Sequence, residues 1–162
     1  SVDELPPFGD YDMRGRTYRY FEGTPVYRFG HGLSYTRFEY APLQLRPAKG
    51  GSSEGMRVVT EVRNSGDRAG DEVVQLYLQF PDIEGVPNIA LRGFRRVPLA
   101  PGERRRIEFD LDPRALSAVN AEGERQVMPG AYRVWVGGGQ PGTDVAGQGA
   151  PFAIDRLRPV ER

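Results

Sequence analysis

No cysteine occurs in the 162 residues, and there is a single histidine, His31, and a single lysine, Lys49. The missing cysteines exclude a disulfide framework and every thiolate metal site. With one histidine, a zinc or iron centre would need an unusual carboxylate set, so neither metal nor cofactor is expected. Net charge is also absent, because 22 basic side chains balance 22 acidic ones. Nucleic acid and anionic membrane surfaces both select a basic footprint, so neither is expected as a partner. No apolar run approaches the roughly 20 residues that span a bilayer. No signal-type apolar stretch follows Ser1, and the chain reads as a piece of a longer protein.

Turn formers are plentiful instead, with 21 glycines and 14 prolines, well above the roughly 12% of average usage. Between them lie patterned apolar segments, which argues against disorder. Met56, Val58, Thr60 and Val62 alternate with Arg57, Val59, Glu61 and Arg63, the period of a half-buried strand. From Glu72 to Phe80 only Gln75 and Gln79 interrupt a run apolar on both faces after Val73, as in a central strand. Ile107, Phe109 and Leu111 form another alternation, as do Tyr132, Val134 and Val136 after the Pro129-Gly130 turn. Phe152 and Ile154 suggest a short final strand; Phe38–Leu45 and Leu91–Leu99 complete about seven. That rhythm predicts an all-β sandwich.

The apolar positions 91, 94, 97 and 99 fit no single period of two, which predicts a β-bulge near Arg95-Arg96. Asp112-Pro113 is a helix start followed by one or two turns. Pro47–Gly55, Pro81–Asn88 and the glycine-rich Gly137–Gly149 read as loops, the last as the most mobile interior segment.

Residues 8–40 hold ten of the 17 aromatics, with no sustained period and frequent Gly and Pro. Such an arm cannot build its own core. Its rings could serve as a sugar-stacking platform or be buried against another domain. Ten rings in 33 residues are a packing quantity, so burial is the favoured reading.

Other candidate chemistry has a plain explanation. His31, in Gly30-His31-Gly32-Leu33-Ser34, is the only histidine a catalytic triad could use, but glycines on both sides suit a loop or interface ring. Asp10 and Asp12, Asp110 and Asp112, and Glu122 and Glu124 are carboxylate pairs two residues apart. Glycoside hydrolysis uses two carboxylates about 5–9.5 Å apart, yet nothing apolar in the sequence surrounds these, and a solvated face is the favoured reading. Gly137-Gly138-Gly139 lacks the Lys-Ser/Thr of a phosphate loop. Arg95, Arg96 and Arg104-Arg105-Arg106 have acidic neighbours and read as a mutually paired surface.

Several segments carry a resemblance. Leu5-Pro6-Pro7-Phe8, Gly15-Arg16-Thr17-Tyr18-Arg19-Tyr20-Phe21 and Phe29-Gly30-His31-Gly32-Leu33-Ser34-Tyr35-Thr36 lie in the arm. Val62-Arg63-Asn64-Ser65-Gly66, Gly70-Asp71-Glu72-Val73-Val74-Gln75-Leu76-Tyr77, Leu91-Arg92-Gly93-Phe94-Arg95-Arg96-Val97, Leu99-Ala100-Pro101-Gly102-Glu103 and Pro129-Gly130-Ala131-Tyr132 follow. Together they resemble the C-terminal end of a glycoside hydrolase family 3 enzyme of the β-glucosidase/β-xylosidase kind. The resemblance implies an arm over residues 1–37 and a fibronectin type III-like sandwich over 38–162. It implies that the arm packs on a barrel domain and an α/β sandwich domain. Tyr18, Tyr20, Phe21, Phe29 and Tyr35 would be the docking residues, prone to self-association when bare. The family's aspartate nucleophile and acid/base glutamate match no position here, so the chain alone is not expected to be an enzyme. The competing reading is a free-standing carbohydrate-binding or polymer-surface module using Trp135 or the arm's rings.

Overall fold

The computed structural model describes residues 6–48, 55–142 and 144–160. Two antiparallel sheets face each other. In the first, β1 (Phe38–Tyr40) and β2 (Gln44–Pro47) lie along one edge of β3 (Met56–Asn64), and β6 (Arg104–Leu111) lies along the other. Phe38 pairs with Asn64 and Gln44 with Val59, so β1 and β2 are one edge strand with one extra residue around Pro42, which has no N–H to give the ladder. The second sheet runs β10 (Gly147–Ile154), β9 (Gly130–Gly137), β4 (Gly70–Gln79), β5 (Ile89–Leu99). A small third sheet joins β7 (Ala118–Val119), β8 (Arg125–Val127) and β11 (Arg158–Pro159). Counting the split edge strand once, the two main sheets contain the seven strands of a fibronectin type III-like sandwich.

The alternating residues meet between the sheets. Val58, Val62, Ile107, Phe109 and Leu111 from one side pack with Val74, Leu76, Leu78, Val134 and Val136 from the other. Each buried aliphatic or aromatic side chain stabilises the fold by about 1.5–3 kcal/mol. Tyr132, at the start of β9, sends its hydroxyl back to Met128 O at 2.8 Å, the tyrosine-corner arrangement of such sandwiches. Asp112 accepts from Ala115 N–H at 2.7 Å and caps α2 (Pro113–Leu116), a single turn where one or two were expected.

Two expectations need correction. The β5 bulge falls at Arg92, because Leu76 pairs with Gly93 while Tyr77 pairs with Leu91. The apolar pattern misled because Phe94 points outward, 68% exposed, while Gly93 faces the core. A Cβ at Gly93 would lie 2.9 Å from the Phe109 ring, which occupies that space. The final strand also starts earlier than Phe152, since Gly147–Gly149 already pair with Gly137–Trp135. Most of the Pro47–Gly55 connection lies outside the described residues.

Glu72 is the carboxyl of interest between the sheets. Burial pushes its pKa up from the ordinary 4.5, partly offset by the Tyr40 hydroxyl, which donates to it at 2.6 Å. A carboxyl that holds its proton more tightly in the fold favours folding at low pH and loses that contribution as pH rises through its folded pKa. Glu72→Gln keeps an acceptor for Tyr40. Its stability relative to wild type is therefore expected to improve as pH rises above 4.5 and to level off beyond the folded pKa of Glu72; chemical denaturation at several pH values checks this.

Candidate functional site

The arm includes the short turn α1 (Thr17–Tyr20) and leads to β1. Part of it lies on the outer face of the second sheet. With Val74, Leu76 and Leu78 turned into the core, alternation turns Gln75 and Tyr77 outward. Tyr77 is nevertheless completely buried, and the cover comes from the arm. The Tyr18 ring stands edge-on to Tyr77, with centroids 6.3 Å apart and planes at 84°. Phe29 stacks on Tyr18 at 4.3 Å. The Leu91 N–H, beside the bulge, donates to the Tyr18 hydroxyl at 3.1 Å.

Backbone bonds hold both ends of this clasp. Asn88 N–H donates to Arg19 O at 2.8 Å, and Gln140 N–H to Phe29 O at 3.2 Å. Gly30 crosses directly over Gln75 and Tyr77 with φ 78°, and a Cβ there would fall 2.4 Å from the Gln75 side-chain oxygen. Only glycine fits both the conformation and the space. Tyr77 in turn donates to Gln75 Oε1 at 2.6 Å, and Gln75 Nε2 donates to Gly138 O at 2.9 Å. The arm's exit is tied to Asn64, which accepts from the Thr36 hydroxyl at 2.6 Å.

The other rings face outward. Tyr35 is 93% exposed and Leu33 96%, while Phe8, Tyr11 and Tyr27 are also largely bare. Phe21 and the outer side of Phe29 remain nearly half exposed, and Tyr20 is half-buried. Tyr18, Phe21, Tyr27 and Phe29 line an open groove of about 340 Å³. Of the five expected docking residues, Tyr18 and Phe29 thus meet within the clasp, whereas Phe21 and Tyr35 present apolar surface to solvent. Sequence reasoning missed Tyr77, although the two-faced apolarity of β4 was its signal.

The remaining candidates are occupied. Trp135 donates its indole N–H to Gly139 O at 3.0 Å, and its ring lies against Gly147 and Gly149 of β10, a geometry that does not favour a sugar platform. His31 is exposed and tilts against Tyr27 at 4.9 Å. Arg57 pairs with Asp110 at 2.6 Å and with Glu108 at 3.4 Å. Arg104, Arg105 and Arg106 pair with Glu61, Glu103 and Glu108, and Arg96 pairs with Asp71. The Arg14 guanidinium beside Asp12 holds that carboxyl below its ordinary value, the opposite of what a general acid needs. Among the described residues, no group of three or more acidic or histidine side chains is placed to hold a metal. No described helix is long and apolar enough to cross a membrane.

Residues 72–140 match the family described as Fibronectin type III-like domain. The probable beta-glucosidase D of Aspergillus flavus is 40% identical over 141 residues, covering 75% of this chain and 19% of that protein. The xylan 1,4-beta-xylosidase of Xylanibacter ruminicola is 35% identical over 136 residues, covering 83% of this chain and 15% of its own length. The solved structure of beta-glucosidase 3B from Thermotoga neapolitana superposes with a TM-score of 0.75 at 32% identity, over 90% of this chain and 19% of that one. This chain therefore spans less than a fifth of the length of these relatives. It is a fibronectin type III-like domain, with its leading arm, of the kind carried by the family 3 β-glucosidases and β-xylosidases.

Proposed function

We propose that the chain is a non-catalytic docking and stability module of a retaining family 3 glycoside hydrolase that removes terminal β-linked glucose or xylose. Its partners are the enzyme's barrel and α/β sandwich domains. The observation that carries this reading is the division of the arm. One set of rings is spent on fixing the arm to the sandwich through Tyr77, while Phe21, Val26, Tyr27, Leu33 and Tyr35 form a bare apolar surface beside it. Exposed apolar surface of this extent marks an interaction site. In this role Tyr18 and Phe29 set the position of the arm, and Tyr20, Phe21, Tyr27 and Tyr35 make the contact.

The reading is tested in the whole enzyme. Replacing Tyr27 and Tyr35 together by Ser should lower its melting temperature by several degrees while KM for a chromogenic β-glucoside or β-xyloside is retained. An unchanged melting temperature would count against a docking role. The isolated chain should self-associate through the same rings, with a weight-average mass in sedimentation that rises with concentration and falls back to monomer in the double variant.

A further inference from the structure

Arg92 is the extra residue of the β5 bulge, and a bulge re-aims the side chain it carries. Its guanidinium lies 5.1 Å over the Phe80 ring and donates through Nη2 to Ser117 O at 2.7 Å. Among the described residues, no acceptor faces its buried Nε. Arg125 of β8 converges on the same residue, donating to the Ser117 hydroxyl at 3.2 Å. Arg19 arrives from the arm: its carbonyl is held by Asn88, and its guanidinium lies 5.8 Å over the ring of Tyr18, whose hydroxyl is bonded to Leu91, next to Arg92.

Arg92 and Arg125 thus meet at Ser117, and the arm brings Arg19 near enough for its charge to act on Arg92. Arg57, Arg96, Arg104, Arg105 and Arg106 are ion-paired, whereas among the described residues no carboxylate lies within 4.0 Å of Arg19, Arg92 or Arg125. Burial and the positive charges of Arg19 and Arg125 all weaken the hold of Arg92 on its proton. Like charges gathered without a counter-ion weaken a fold, and leaving a buried N–H unmatched adds to the cost.

Resting on the docking role above, we propose that Arg19, Arg92 and Arg125 form a receptor for an acidic side chain of the domain against which the arm packs. The planar forks of guanidinium groups match a carboxylate with two parallel hydrogen bonds. Charge complementarity selects an acidic partner residue, and the position of Arg19 within the arm places the receptor beside the docking surface.

The test uses the 162-residue chain and a short acidic peptide, N-acetyl-Asp-Glu-Asp-Glu-amide, with its Asn/Gln counterpart as control at equal ionic strength. The acidic peptide at saturation should raise the melting temperature by about 2–4 °C, and the neutral one should not. Arg19→Gln and Arg125→Gln should each raise the melting temperature of the free chain by relieving repulsion, and each should abolish the response to the peptide. Equal responses to both peptides, or an equal shift produced by inorganic sulfate, would overturn the proposal, the latter by assigning the cluster to free anions. A drop in the free chain's melting temperature on Arg19→Gln would also overturn it. None of these outcomes depends on catalytic domains being present, so failure here is distinct from failure of docking.

Discussion

Tyr77→Ala is expected to destabilise the chain by about 3–5 kcal/mol, the usual cost of truncating a fully enclosed aromatic ring. The residue is wholly buried yet lies outside the main core, sealed between β4 and the arm. Its loss should therefore do more than open a cavity. Tyr18 and Phe29 lose the surface they stack against, and the arm between Arg19 and Gly30 should gain amide hydrogen exchange while the inter-sheet core keeps its protection. Tyr77→Phe retains the ring and forfeits only the bond to Gln75, so its cost should be about 1 kcal/mol. Urea denaturation of both variants with exchange measured on each checks the pair. Equal costs for Ala and Phe would show that the hydroxyl network, rather than the ring, secures the arm.

A similar loss, about 3–4 kcal/mol, is expected of Asn64→Ala. Asn64 is fully buried at the end of β3. Its amide oxygen accepts from the Thr36 hydroxyl and Gly66 N–H, and its Nδ2 donates to Arg68 O and Leu99 O. Its own N–H and C=O are bonded to Glu103 and Gly102. Truncation would strand two carbonyls, an amide and a hydroxyl where water enters with difficulty, which costs more than the bonds themselves contribute. Because Thr36 joins the arm to this hub, the variant should also loosen residues 34–37. Thr36→Val removes a single bond and should cost only about 1 kcal/mol. A loss near that value for Asn64→Ala, measured by urea denaturation, would contradict the hub.

The period-two strands were legible because each has one face that must avoid water: Val58 and Val62, or Val134 and Val136, announce the core directly. The same logic failed at β5, where an inward glycine and an outward phenylalanine exchanged the expected signs. Asn64-Ser65-Gly66 was readable as a turn, but its buried bonding was not, since the partners Thr36 and Leu99 lie 28 and 35 residues away. The arm posed a similar difficulty. A ring-rich segment without period shows that something must cover it and says nothing of what does. Part of the answer was another part of the chain, Tyr77, visible only as excess apolarity on a strand whose inner face was already accounted for. The proposed arginine receptor was not legible either, because Arg92 and Arg125 meet at Ser117 only through the fold and Arg19 joins them only through the arm.

In the proposed role, the outward rings of the arm are one side of a domain contact. The test mixes the 162-residue chain with separately purified barrel and α/β domains of the proposed parent enzyme and follows hydrogen exchange in the arm. A docking arm should give a saturable complex in which residues 20–35 gain protection, and the complex should be lost when Phe21, Tyr27 and Tyr35 are replaced by Ser. Absence of a complex, or a complex that leaves exchange in those residues unchanged, would contradict it.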